Sequence, residues 1–349
     1  IEIVRPPLML VHGLNGNADT WKHFALKEKV LTGNVQYKDD ERFKVAIAPN
    51  MAPVSHFELN ANHLLDKVTN DRSMMSVIYR MRQQGYACNQ VDYVCHSMGG
   101  SILRRAEEKK MSFYRHENYK KGFVHKFITL HTPHNGSSFA NFLCDENIRR
   151  ALHEIGAKKD FFYEENGSYK PYSAILDLRY KDGIKFPETK LKAHLVAGGT
   201  SCFDEGTYRY ILSLLYDNYN RDEKARPGLI LLLSGLYKYA ISSDRGGDYC
   251  NLTTRYFSEN NLESDFMDLS DGIVSLNSQF SASPKTYTID SRPTNTSFFP
   301  GIMHTGMLDN GLAALQPLSF LGDDPTNRLK VGKLVNELLN APLSSPLFN

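Results

Sequence analysis

The chain has 349 residues, with 41 Lys and Arg against 39 Asp and Glu and a formal net charge of +2. No charge field of that size gathers a polyanion, so nucleic acid is not an expected partner. With 41% hydrophobic and 23% charged residues the composition lies outside the low-hydrophobicity, high-charge regime of disorder. The length suits one large α/β domain carrying insertions better than two independent domains.

The chain opens at Ile1 rather than Met and runs at once into an apolar strand, which reads as a processed or excised chain with no signal peptide in view. Short β-branched or apolar runs then alternate with helical stretches, the pattern of a parallel sheet covered by helices. The expected strands are Leu8 to Val11, Lys44 to Ala48, Val91 to Val94, Lys126 to Leu130, Ala193 to Ala197 and Thr286 to Ile289. The expected helices are Thr20 to Val30, Leu59 to Lys67, Met74 to Gln84, Gly100 to Lys110 and Asn327 to Leu339. Met74, Ile78, Tyr79 and Met81 recur at near-helical spacing, and Val331, Leu334, Val335 and Leu338 follow the i, i+3, i+4, i+7 template. Each set predicts a helix face laid on the sheet.

Two segments interrupt this order, Phe139 to Lys190 and Cys202 to Met267, where strands are not expected and the sequence turns aromatic and helical. Both read as cap or lid insertions in a single domain spanning residues 1–349. The second holds two apolar stretches, Gly206 to Tyr219 and Pro227 to Ile241, joined by the polar NRDEKAR, as in a helical hairpin. The longest apolar run, Leu229 to Leu236, is far short of the roughly 20 residues of a membrane-spanning helix, so a soluble chain is expected. The five cysteines, Cys88, Cys95, Cys144, Cys202 and Cys250, form no C-x-x-C pair and no zinc-ligand spacing. Their odd number leaves at least one thiol free, and Cys202 and Cys250 are the pair considered for a bridge.

The most informative string is VDYVCHSMGG. The strand Val91 to Val94 runs into Cys95-His96-Ser97-Met98-Gly99 and then into a helix, the layout of a nucleophile elbow. Such a turn brings strand and helix backbones close together, which requires small residues beside the serine. Gly99 and Gly100 meet that need on the helix side, whereas Cys95 stands where the G-x-S-x-G pattern has its first glycine. The plainer alternative is a serine that merely caps a helix starting near Met98.

CHSMGG after an apolar strand, together with LMLVHGLNGNADTW near the start, resembles the α/β-hydrolase superfamily, and within it bacterial lipases and carboxylesterases. The likeness runs from about Pro7 to about His304. It implies an α/β-hydrolase fold, a mostly parallel central sheet flanked by helices with helical cap insertions. It also implies a triad in the chain order Ser, acid, His. By resemblance the oxyanion-hole donors are the backbone N–H groups of Leu14 and Met98, and His12 is structural. His304, in GIMHTGML after the strand expected at Thr286 to Ile289, takes the place of the base. Asp271, in an Asp-Gly-Ile-Val string similar to the one carrying the acid in many lipases, takes the place of the acid, with Asp268 and Asp265 as rivals and an ordinary Asp-Gly turn as the plainer reading. ITLHTPHNGS resembles the segment after the strand that follows the elbow, and His134 within it reads as structural. NLTTRYFSENN is similar to the segment preceding the acid loop.

The resulting expectation is a secreted, cell-surface or periplasmic serine ester hydrolase, a lipase or carboxylesterase acting through an acyl-enzyme on Ser97. Its substrate would be a small-molecule or lipid ester with a hydrophobic acyl group, and the apolar cap offers a contact with a membrane or lipid interface. No organic cofactor is implied. A structural calcium is known among such lipases, but no calcium-loop string is readable. Rival readings are a phospholipase, thioesterase, amidase or acyltransferase on the same fold, or a non-catalytic module holding a hydrophobic ligand.

Overall fold

The computed structural model describes residues 4–21, 46–49, 51–66, 71–154, 160–180, 183–201, 269–280, 294–300, 302, 304 and 325–348. Its centre is a sheet in the order β2 (Ala46–Ile47), β1 (Leu8–Val11), β3 (Val91–His96), β4 (Val124–Leu130) and β7 (Ala193–Ser201). Two further strands, β8 (Leu269–Ser270) and β9 (Thr296–Pro300), also pair with β7. Every pairing in this sheet is parallel except the short β7–β8 contact. Parallel strands are covered on both faces and therefore read as continuous apolar runs. β1, with the sequence LMLV, is buried at all four positions.

The period of two divides each strand between two cores. Met9 and Val11 point to one face, with Tyr93, Cys95 and Phe127. They meet α1 (Phe57–Leu65), α2 (Met74–Gln83), α3 (Met98–Glu108) and the short α4 (Lys110–Phe113) in one core there. Leu8 and Leu10 point to the other, with Val94, Ile128 and Val196, against Trp21 and the C-terminal helix. That helix, α9 (Pro325–Asn340), buries Val331, Val335 and Leu338 and leaves Leu334 half-buried, as the spacing predicts. On α2, Met74, Ile78 and Met81 are buried, but Tyr79 is 43% exposed and lies off the apolar face. A tyrosine with a polar end tolerates that position.

The strand expectations hold with longer bounds for β3, β4 and β7, because polar strand ends such as His96 and Thr200 do not read as apolar. The helix expected over Thr20 to Val30 begins as a 3-10 turn at Ala18–Trp21, and the rest lies outside the described residues. So do Thr286 to Ile289 and the whole of the second insertion, with Cys202 and Cys250. The strand immediately before His304 is β9, TSFFP, which its proline and polar residues conceal. Cys88, Cys95 and Cys144 are free thiols.

The first insertion departs from expectation. It holds α5 (Ser138–Cys144), α6 (Glu146–Glu154) and α7 (Ser173–Asp177). Between α6 and α7, however, lies an antiparallel hairpin of β5 (Phe162–Glu165) and β6 (Ser168–Pro171). Its two-residue turn is Asn166-Gly167, with φ of 50° and 73°. Asn-Gly is the strongest short hairpin signal because both turn residues must adopt positive φ.

Candidate active site

β3 ends at His96 and α3 begins at Met98, so Ser97 alone makes the turn between them. Its backbone is strained, at φ 54° and ψ −131°, a conformation that persists only where the surroundings impose it. The serine accepts no capping bond through its side chain, which disposes of the plain helix-cap reading. The turn closes because Gly99 packs on the neighbouring strand. A Cβ there would lie 2.8 Å from the carbonyl oxygen of Val11 and 2.9 Å from that of His12. Cys95, in place of the first glycine of the pattern, is accommodated with its thiol toward the Ile128 carbonyl at 3.5 Å and the Thr132 hydroxyl at 3.9 Å. Complete burial pushes that thiol far above its ordinary range, so it stays protonated.

His304 meets the serine from the other side of the sheet end. Its Nε2 lies 2.7 Å from Ser97 Oγ, and its Nδ1 lies 2.7 Å from Asp271 Oδ2. The other carboxylate oxygen, Oδ1, accepts the backbone N–H groups of Ile273 at 2.9 Å and Val274 at 2.7 Å. Burial alone would raise the pKa of Asp271, but His304 and His131 outweigh it and hold the carboxyl well below the usual range. The acid is therefore ionised. The rivals Asp265 and Asp268 lie outside the described residues.

Histidine and acid are tied together through the backbone as well. The N–H of His304 donates to the Asp271 carbonyl at 2.9 Å, and His96 Nε2 donates to the carbonyl of His304 at 2.7 Å. The acid loop is fixed in turn by α8 (Leu276–Gln279). Gln279 bonds both the N–H and the carbonyl of Gly198 on β7, each at 3.0 Å. The turn after β4 clasps the same loop: Ser137 Oγ donates to the Ile273 carbonyl at 2.5 Å, and Ser278 Oγ donates to the Gly136 carbonyl at 2.6 Å. The string ITLHTPHNGS thus supports the acid loop. His134 in it is wholly buried near Arg104 and Thr129 and held neutral by burial, as a structural histidine would be.

Leu14 and Met98, the two residues expected to present oxyanion donors, flank the serine turn. Among the described residues neither backbone N–H has an acceptor, whereas the next amides, Asn15 N–H and Gly16 N–H, donate to Pro53 and Gly13. His12 is buried, its Nδ1 2.9 Å from the Gly13 carbonyl, and burial lowers its pKa, so it stays neutral and structural.

Sequence reasoning did not assign His96, His131 or Gln279. His96 and His131 sat inside strings already singled out, but only the three-dimensional arrangement shows what they face. His131, Asp271 and His304 bring two nitrogens and an oxygen close enough to share a cation. Calcium favours all-oxygen cages, so this donor set does not suit it. The 2.7 Å contact between His304 and Asp271 is the length of a charge-assisted hydrogen bond.

Residues 3–185, just over half of the 349, match the family described as PGAP1-like alpha/beta domain. The chain belongs to this family. The matched region carries the elbow and Ser97 in this PGAP1-like chain, while Asp271 and His304 lie beyond it. With the sheet described above, the match makes the chain an α/β-hydrolase superfamily member. Among solved structures, the mature Bacillus licheniformis lipase BlEst2 is 18% identical at a TM-score of 0.43, over 92% of this chain and 93% of that one. Phospholipase PlaB from Legionella pneumophila is 14% identical at a TM-score of 0.45, over 96% of this chain and 64% of that one. EstA from Clostridium botulinum is 12% identical at a TM-score of 0.45, over 93% and 89%. No curated protein matches the sequence. No helix among the described residues is long and apolar enough to cross a membrane.

Proposed function

We propose that this PGAP1-like chain is a serine ester hydrolase that cleaves carboxylic esters through an acyl-enzyme on Ser97. The observation that carries the reading is the unbroken path from Ser97 Oγ through His304 to Asp271 Oδ2, with both contacts at 2.7 Å. In the first half of the reaction Ser97 Oγ attacks the ester carbonyl while His304 Nε2 takes its proton. The imidazolium so formed is stabilised by the ionised Asp271 and then returns the proton to the departing alcohol. In the second half water repeats the attack on the acyl-enzyme with the same proton movements, releasing the acid. The unpartnered N–H groups of Leu14 and Met98 face the developing oxyanion in this reading, each donor worth about 3 kcal/mol or more in transition-state stabilisation.

The substrate side of the proposal rests on sequence. The two apolar stretches between Gly206 and Ile241 stand where a cap would cover the site, and their Leu, Ile and Tyr content suits a hydrophobic acyl group at a lipid interface. No step calls for a cofactor, and secretion or surface attachment is the matching location for a lipid ester hydrolase.

The test is hydrolysis of p-nitrophenyl esters of increasing acyl length, with fluorophosphonate labelling mapped by mass spectrometry. Label on Ser97 and an optimum at medium or long chains support the reading. An unlabelled Ser97 in active protein overturns it. Faster transfer to an added alcohol than to water would favour acyl transfer instead.

A further inference from the structure

The turn after β4 carries a histidine that the reaction above leaves without a task. His131 is wholly buried and its backbone is left-handed, at φ 54°. Its Nδ1 lies 2.9 Å from Asp271 Oδ2, the same oxygen that receives His304. Nδ1 does not meet hydrogen-bond geometry there, so the contact is that of a ring dipole beside a charge. The carboxylate is thereby gripped on both oxygens, Oδ1 by two backbone amides and Oδ2 by two imidazoles.

The protonation state of His131 follows from its surroundings. Its Nε2 is buried with no hydrogen-bond partner among the described residues. It lies against β7 where Gly198 leaves room; a Cβ at that position would come within 2.6 Å of it. A doubly protonated ring would bury an N–H without an acceptor, which is rarer and costlier than burying a lone pair. Burial also lowers the pKa of this imidazole, against the opposing pull of Asp271. A charged His131 would repel the imidazolium that His304 becomes, since the two rings are centred 5.7 Å apart. The third ring, His96, is centred 5.0 Å from His304 and is itself held neutral by burial. The arrangement is therefore a neutral His131 with its proton on Nδ1, facing the acid.

We infer that His131 is a positioning residue for the acid: its Nδ1–H keeps the Asp271 carboxylate turned toward His304 and shares the negative charge that His304 meets. This inference rests on the reading of Ser97, His304 and Asp271 as the reacting groups. One consequence distinguishes it from a packing role. Without His131, Oδ2 loses one of the two imidazoles that fix it, so turnover falls while substrate binding is unchanged.

The experiment compares wild type, His131→Ala and His131→Asn. Asparagine places an N–H donor near the position of Nδ1 and tolerates the left-handed backbone. The expected result is a fall of about tenfold or more in kcat for His131→Ala with little change in KM, and recovery to within about threefold in His131→Asn. Unchanged kcat in His131→Ala, or equal losses in both variants, would overturn the proposal. Nitrogen-15 histidine spectra of the wild type provide a test that needs no variant to fold. A neutral Nδ1–H tautomer for His131 at pH 7 is expected, and an Nε2–H or doubly protonated ring is the contrary result. If Ser97→Ala retains wild-type turnover, the hydrolase reading fails, while the tautomer still reports the His131–Asp271 contact.

Discussion

Two Asp–His pairs stand at opposite ends of the same two strands. At the carboxyl ends of β3 and β4, His304 Nδ1 lies 2.7 Å from Asp271 Oδ2. At their starts, His125 Nδ1 lies 2.7 Å from Asp92 Oδ1. Both carboxylates are buried and both bonds are equally short. The difference lies in what surrounds them. Asp271 receives two backbone amides and leans on a second imidazole, and its histidine faces a serine on a strained turn. His125 leaves 28% of its side chain to solvent. Its acid also acts on the charge of Lys126, whose Nζ donates to the carbonyls of Leu338 at 3.1 Å and Leu339 at 2.6 Å. That lysine closes the end of α9, where a cation meets the unsatisfied carbonyls of a helix. An acid–imidazole bond is thus common property of both ends, and only one end aims it at a serine hydroxyl.

Substitution at the carboxyl end should give the largest effects. Ser97→Ala and His304→Ala are each expected to lower ester turnover by about 10⁴-fold or more, because the reacting groups act as a unit. Asp271→Asn should follow at about 10³- to 10⁴-fold in kcat, since an amide can no longer hold the imidazole in the tautomer that accepts from serine. Steady-state kinetics on a p-nitrophenyl ester reads all three. Retention of most activity in Asp271→Asn would erase the distinction between the two pairs.

Much of this site was legible in the sequence, and the reasons are local. The elbow was readable because a strand, a serine and two glycines must be consecutive for the turn to close, and Gly99 shows how little room there is. Asp271 and His304 were readable only through resemblance, since an Asp-Gly dipeptide and a histidine among glycines are unremarkable by themselves. His96, His131 and Gln279 were not readable as part of the site, because each acts across 81 to 208 positions in the chain, through Gly198, Asp271 or His304. The β5–β6 hairpin was legible and overlooked: its Asn-Gly signal was outweighed by the aromatic and charged character of the whole segment. β9 was hidden by Pro293 and the polar run before it, which make the segment read as a loop.

The histidines around the site also set how the fold responds to acid. Burial lowers the pKa of His12, His96, His131, His134 and His194, so all five are neutral when folded. In the unfolded chain they take protons near pH 6.5. A folded-state pKa depressed below the unfolded one contributes stability above the unfolded value and loses it as pH falls. Each such group removes up to about 1.4 kcal/mol per pH unit below about pH 6.5, until its folded form also protonates. Asp271 adds a similar loss below about pH 4. The expected outcome is a urea midpoint that is level from pH 8 to 7 and falls steeply from pH 6.5 to 5. A level midpoint down to pH 5 would mean that the rings are already protonated in the fold, and the carboxyl end would lose its contrast with the solvent-open pair at the other end.

The smallest effect should come from that other pair, and it is the sharpest test of the contrast. His125→Ala removes the partner of a carboxylate that stays buried, leaving Asp92 to Lys126 and to whatever water the vacated surface admits. Losing one partner of a buried charged group costs about 1 to 3 kcal/mol when nothing replaces it. The lower end of that range applies here, because His125 borders solvent. The contact is at the far end of the strands from Ser97, with Asp92 five residues back along β3, so ester turnover should stay within about twofold of wild type. A measurable drop in unfolding free energy with unchanged kcat and an unmoved pH profile would assign this pair to stability alone. A loss of turnover comparable to that of His131→Ala would mean instead that the strand ends communicate along β3 and β4, and that the acid at Asp92 helps to set the geometry in which Ser97 is held.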